Sequence, residues 1–92
     1  MKLQEAYSEL IDLALKLKIE IAEKSFRNIG IPVRSGFCIV KNENRILIDK
    51  HLTLREKVRM LSGYLNQQAI NDVFIKPAVR DYLEKMKDRI EA

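Results

Sequence analysis

The fold of this chain is decided by residues 37–48, which read FCIVKNENRILI. Two apolar runs, 37–40 and 46–48, flank a polar stretch in which Asn42 and Asn44 are common turn formers. This pattern is typical of a β-hairpin. Neither run alternates cleanly between apolar and polar residues, so both faces of the hairpin are predicted to be partly covered. Because a lone hairpin is marginal in water, it must lean on helices, on a third strand near Val33 or on another chain.

Residues 3–28 come before the hairpin and predict one long helix, since they contain neither glycine nor proline. Two apolar stripes with helical spacing run along it, and Glu20–Lys24 is one of several opposite charges at i,i+4. Gly30 and Pro32 predict its end. Such a helix would be about 38 Å long, so it overhangs the sheet, starts later than Leu3, or buries its surplus face against a second copy or another partner. The stripe residues proposed for that interface are Leu3, Tyr7, Leu10 and Leu17.

Two further helices are predicted after the hairpin. Thr53 and Glu56 form a capping box at the start of a helix that runs to about Gln68. The apolar run 73–75 predicts a brief strand or a plug over the core, and Pro77 suits the first turn of a last helix that runs to Ile90. With no linker in 92 residues, the sequence predicts a single α+β domain spanning residues 1–92.

The composition predicts an ordinary globular protein, with 47% hydrophobic and 33% charged residues. Its one cysteine excludes an internal disulfide. No secretory signal and no apolar stretch of roughly 18 residues is visible, so we expect a cytoplasmic protein that does not enter a membrane. Because a chain this short has a modest core, association into a dimer is expected.

The net charge of +4 is concentrated in the middle third of the chain, which holds seven basic and three acidic residues. Such an excess usually marks a solvated face, but it can also assist association with an acidic partner. Nucleic-acid binding is therefore an alternative function, with salt-dependent contacts to phosphates. The residues proposed for anion or nucleic-acid contact are Arg34, Lys41, Arg45, Lys50, Arg55 and Arg59.

Residues for catalysis or metal binding are scarce. A zinc site needs several converging ligands, whereas this chain has one histidine, His51, and one cysteine, Cys38, which lies in an apolar run. No nucleophile elbow, Walker loop or GxGxxG motif is present. The sequence therefore predicts no enzyme activity and no cofactor. Tyr64 and Arg80 remain as candidate pocket residues; Arg80 either pairs with a neighbouring acid or holds an anion.

The segments RILID (residues 45–49) and LTLREKVRMLS (residues 52–62) resemble the strand–helix core of ImmA/IrrE-type zinc peptidases. In that family the helix carries an HExxH motif that binds zinc and supplies a general base. The resemblance covers about 30 residues and places Gly63, Tyr64 and Gln67 at the essential positions, so it implies neither a metal site nor peptidase activity. What it implies is a scaffold retained for binding after loss of catalysis.

Three functional hypotheses follow. The first is a non-catalytic interaction or scaffold module that self-associates through its first helix or the edge of its hairpin. The second is a nucleic-acid-binding accessory protein, and the third is a degenerate peptidase-like scaffold that binds a peptide or small ligand.

Overall fold

The computed structural model describes residues 2–30, 36–40, 42, 44–68 and 74–91, the last five by their backbone alone. The chain forms helix α1 (Leu3–Lys16), strand β1 (Glu20–Lys24), a short helix α2 (Phe26–Ile29), strands β2 (Phe37–Val40) and β3 (Arg45–Asp49), and helices α3 (Leu54–Asn66) and α4 (Pro77–Glu91). The α+β class predicted from the sequence is thereby confirmed.

The first helix is much shorter than predicted. It ends because Lys18 adopts a left-handed backbone conformation with φ of 63°. Lys18 N–H donates to the carbonyl of Leu15, and Ile19 N–H donates to that of Ala14, both at 2.9 Å. This is the Schellman arrangement, with lysine at the position that glycine usually takes. The predicted continuation to Asn28 is therefore wrong, because residues 20–24 leave the helix and form a strand.

The sheet has three strands in the order β1-β3-β2. β3 pairs in parallel with β1, where Ile21 lies beside Ile46, and antiparallel with β2, where Ile39 lies beside Ile46. The predicted hairpin is confirmed as β2–β3. The third strand is β1, whereas Val33, near which a third strand was considered, lies outside the described residues.

Helices α1, α3 and α4 cover one face of this sheet. Ile46 and Ile48 point to that face and are fully buried in a core shared with α1, α3 and α4. The opposite face carries a half-buried row of Ala22, Leu47 and Cys38, one from each strand. The sheet and the helices α1, α3 and α4 therefore form two layers. The row of Ala22, Leu47 and Cys38 lies on the face of the sheet that points away from these helices.

The later helices begin where the sequence predicts. The Thr53 hydroxyl accepts a 3.2 Å hydrogen bond from the Glu56 N–H and caps α3. Pro77 opens α4, which packs on α3 through a 3.0 Å bond from Asn66 Nδ2 to the Leu83 carbonyl. Of the predicted plug, Ile75 is buried in the core, while Phe74 is 72% exposed. Of the two described residues of this run, the plug is thus confirmed at Ile75, whereas Val73 lies outside the described residues.

Candidate functional site

Two strands form the outer edges of the sheet, and their sequences differ sharply. β1 reads EIAEK, with three charged residues in five, whereas β2 reads FCIV and has none. Charged side chains and proline are the usual protection of an edge strand against pairing with another chain. By this criterion the β1 edge is protected and the β2 edge is open to pairing.

The hydrogen-bond phase of β2 determines which backbone groups face outward. Asp49 N–H donates to the Gly36 carbonyl at 3.0 Å, so Gly36 and Asp49 form a hydrogen-bonded pair. Because such pairs alternate along an antiparallel ladder, Cys38 also bonds to β3, while the N–H and C=O groups of Phe37 and Ile39 point away from the sheet. No strand among the described residues takes up these outward groups.

A groove runs along this edge between β2 and α3. Its main part has a volume of about 720 Å³ and contains the Phe37 and Ile39 side chains on the strand side. A further part of about 420 Å³ extends it towards the end of β2 and shares Ile39 and Tyr64 with the first. On the helix side the main part is lined by Glu56, Arg59, Met60, Gly63, Tyr64 and Gln67.

Aromatic packing forms the floor of the groove. The rings of Phe37 and Tyr64 lie 5.7 Å apart at 49°, a tilted contact of favourable geometry. Ile39 is not covered in this way and remains 44% exposed. Among the described residues, Ile39 is the one exposed large apolar side chain that belongs to a strand.

A separate polar cluster joins three elements on the helix-covered face of the sheet. Glu23 of β1 accepts a 2.7 Å hydrogen bond from the Tyr7 hydroxyl and a 2.8 Å bond from Lys57 Nζ on α3. Burial raises the pKa of Tyr7, and the neighbouring Glu23 carboxylate raises it further. Burial also acts to raise the pKa of Glu23, but bonds from Lys57 and Tyr7 outweigh it and lower that pKa. The cluster holds α1 and α3 in place on β1.

Metal-ligand geometry is absent from the described part of the chain, where no three His, Cys, Asp or Glu side chains converge. The buried carboxylate of Asp49 accepts the backbone N–H of His51 at 3.2 Å and closes the turn after β3. His51 itself is exposed, and Cys38 is half-buried on the sheet face opposite α1, α3 and α4.

The basic residues proposed for anion contact are dispersed. Arg45 pairs with Glu20 at 3.3 Å at one end of β3, and Lys50 follows the other end. Arg55 and Arg59 are exposed one turn apart on α3, and Arg59 borders the groove. Arg34 and Lys41 lie outside the described residues.

The interface proposed on the first helix needs correction. Tyr7 and Leu10 are 6% and 1% exposed and belong to the core of the chain itself, so they have no surface to offer a partner. Leu3 and Leu17 are partly buried against the same core. The apolar stripe of α1 that contains Tyr7 and Leu10 is occupied by α3 and the sheet, whereas Leu15, on the second stripe, remains 57% exposed.

The two residues proposed to line a pocket lie in different parts of the structure. Tyr64 lies in the groove, whereas Arg80 is exposed on α4 and does not line it. Gly63 and Gln67, which the peptidase resemblance singles out, line the groove together with Tyr64. Sequence reasoning named the hairpin edge as an association surface but did not name Phe37 or Ile39. The signal available was the lack of any charge in residues 37–40, but it becomes informative only when β1 is known to form the other, charged edge.

Comparison of the chain with protein families, characterised proteins and solved structures finds no match. Among the described residues, no helix combines the length and the apolar character that a membrane crossing requires.

Proposed function

We propose that this protein is a non-catalytic interaction module that binds an extended polypeptide segment along the free edge of β2. The observation that carries the proposal is the neutral edge strand with outward backbone groups at Phe37 and Ile39. Strand addition of this kind uses main-chain hydrogen bonds for affinity and alternate side chains for specificity. The proposal includes self-association and a cytoplasmic setting.

The groove supports this mode of binding because it lies on the same side of β2 as the side chains of Phe37 and Ile39. An added strand would direct every second side chain into it. Apolar side chains fit its centre, where Met60 and Tyr64 lie, and Glu56 and Arg59 provide polar contacts at the rim. A scaffold descended from a peptidase and retained for binding would use the same surface, since Gly63, Tyr64 and Gln67 line it.

Site-specific photocrosslinking in cells tests the proposal. Ile39 is replaced by a benzophenone amino acid, and Ile29 serves as the matched control because it is also an isoleucine and is 47% exposed, against 44% for Ile39. We expect discrete protein adducts from position 39 and none from position 29. Equal adducts from the two positions, or none from position 39, would refute strand addition at β2.

A complementary measurement follows the backbone itself. The amide of Ile39 points away from the sheet in the free chain, so its hydrogen exchange should be fast and should slow when a strand is added. The amide of Cys38 is bonded to β3 in either state and serves as the internal control. Exchange at Ile39 that stays fast in the bound form would contradict the proposed mode.

A further inference from the structure

We infer that the segment bound along β2 is the β2 strand of a second copy of this chain, related by a twofold axis that passes beside Cys38. This inference rests on the proposed function and names its partner. The result is a continuous six-stranded sheet formed from two three-stranded sheets, with α1, α3 and α4 of both copies on one side.

The register follows from the hydrogen-bond phase. Outward residues of two antiparallel edges must form hydrogen-bonded pairs with one another. When the axis passes beside Cys38, Phe37 of each copy pairs with Ile39 of the other, and all outward N–H and C=O groups of the two residues are used. A shift of the axis to Phe37 or Ile39 leaves only one such pair between the β2 strands.

Side chains favour the same register. Phe37 and Ile39 lie on the groove side of β2, so each isoleucine meets a phenylalanine of the other copy directly across the new ladder. Aromatic and β-branched residues are favourable cross-strand neighbours. This contact covers Ile39, the exposed apolar residue that the isolated chain leaves at the edge.

Charge favours an identical partner at this edge. β2 has no charged residue, so two copies can approach here without direct repulsion although each carries a net charge of +4. The same arrangement at β1, with its axis beside Ala22, would place the charged Glu23 directly opposite Ile21 of a second copy. The sheet is thus suited to self-pairing at one edge and protected at the other.

The exposed area agrees with a dimer. The single chain exposes 6375 Å², which exceeds by about 900 Å² the surface of about 5,500 Å² expected for a monomeric protein of this mass. A standard interface buries about 800 Å² on each partner. The excess exposed area is therefore about equal to the area that one isologous interface would bury on each copy.

Cys38 provides an internal probe of the register. The two Cys38 residues would form a non-hydrogen-bonded pair across the axis, with Cα atoms about 4.5 Å apart. This distance lies within the range that a disulfide requires. Diamide would then oxidise the two thiols to a disulfide, taking up two protons and two electrons as its diazene becomes a hydrazine.

A relocated cysteine is the matched control. Val40→Cys in a Cys38→Ser background keeps the thiol on the same strand and the same face. In the proposed register the two residues at position 40 lie about 13 Å apart along the paired strands, too far to be bridged. We expect the wild type to form a covalent dimer with diamide and the relocated variant to remain uncrosslinked. The reverse result would overturn the register.

Light scattering at micromolar concentration tests the association without relying on cysteine. We expect twice the chain mass of 10.7 kDa for the wild type and for Ile29→Lys, and the mass of a single chain for Ile39→Lys. A wild-type mass of 10.7 kDa, or a dimer that persists in Ile39→Lys, would overturn the inference. A monomeric wild type that still gives adducts with other proteins from position 39 would refute self-pairing and leave the proposed function standing.

Discussion

The hydroxyl of Tyr7 donates a 2.7 Å hydrogen bond to Oε2 of Glu23 and so joins the middle of α1 to β1. The ring of Tyr7 is 6% exposed, and the carboxylate lies on the helix-covered face of the sheet and also accepts Lys57 Nζ. This contact fixes the helix on the strand that follows it in sequence. It also gives Glu23 two partners on the face of β1 that the helices contact.

Tyr7→Phe should lower the free energy of unfolding by about 1–2 kcal/mol, because the carboxylate loses a buried donor while the ring is retained. Urea denaturation measures the change. Tyr82→Phe is the control: its ring packs on the same core, but its hydroxyl makes no hydrogen bond within the described residues, so little change is expected. Equal losses in the two variants would show that the Tyr7 bond contributes nothing specific.

Acid should destabilise the protein through Glu23. Its pKa in the folded chain is lowered from the ordinary value of 4.5 by the bonds from Lys57 and Tyr7, which outweigh the effect of burial. A lowered folded pKa contributes stability that is present above the unfolded pKa and is lost as the pH falls through the folded one. We therefore expect Glu23→Gln to be less stable than the wild type at neutral pH and to converge with it well below pH 4.5.

A urea series from neutral to acidic pH tests this difference. Glu20→Gln is the control, since Glu20 also lies on β1 but pairs with Arg45 at the exposed edge, where an ion pair contributes little. The difference in stability between this variant and the wild type should therefore stay small throughout the series. If the difference in unfolding free energy between Glu23→Gln and the wild type stayed constant across the series, the predicted contribution of Glu23 to the pH dependence would be contradicted.

Lys18→Gly should stabilise the protein by about 0.5–1 kcal/mol, because glycine adopts the left-handed conformation without the steric cost that a Cβ brings. The backbone bonds of the Schellman arrangement remain in place. Thermal or urea unfolding measures the gain. Lys16→Gly, inside the last turn of α1, should instead cost about 1 kcal/mol. A loss of stability in both variants would show that position 18 has no strain to relieve.

Gly36→Ala should cost more than Gly30→Ala. Both glycines have positive φ, 61° and 73°, so both variants bear the left-handed strain of about 1–2 kcal/mol. A Cβ at Gly36 would also lie 3.0 Å from Leu52 Cδ1 and 3.1 Å from Met60 Cε, whereas none of the described atoms lies within 4 Å at Gly30. The difference between the two urea midpoints measures this packing effect, and equal midpoints would exclude it.

Much of the fold could be predicted because the signals are local. Thr53 with Glu56 predicts the start of α3, Pro77 that of α4, and the apolar runs on either side of residues 41–45 predict the hairpin. Gly30 does close a helix with a left-handed φ of 73°, although that helix is only Phe26–Ile29. These features depend on residues close to one another in sequence.

The strand β1 could not be predicted in the same way, because its pairing depends on residues 25 positions away. Glu20–Lys24 has the spacing of a helical charge pair, but in the structure Glu20 contacts Arg45 of β3. The helix ends at a left-handed residue, Lys18, where glycine is usual, so the sequence did not indicate that the helix stops there. The alternation of Ile19 and Ile21 with charged neighbours was the available signal, and helical periodicity across the same residues masked it.

The candidate site depended on this missed strand. With residues 3–28 in one helix, the apolar face of Tyr7 and Leu10 remained without cover and was assigned to a partner. Once β1 joins the sheet, those residues are buried within the chain, and β2 becomes one of two edges rather than half of an isolated hairpin. Of the two association surfaces predicted from the sequence, the first helix is therefore excluded at Tyr7 and Leu10, and the proposal rests on the other, the hairpin edge that contains Ile39.

The position of β3 at the centre of the sheet has a consequence for the order of events during synthesis. It is the last of the three strands to leave the ribosome, yet both other strands bond to it. β1 is therefore made with no neighbour to pair with and must wait for 20 intervening residues, whereas β2 meets its neighbour after a short turn. Closure of the hairpin should precede docking of β1, which makes the parallel pairing the slower step of folding.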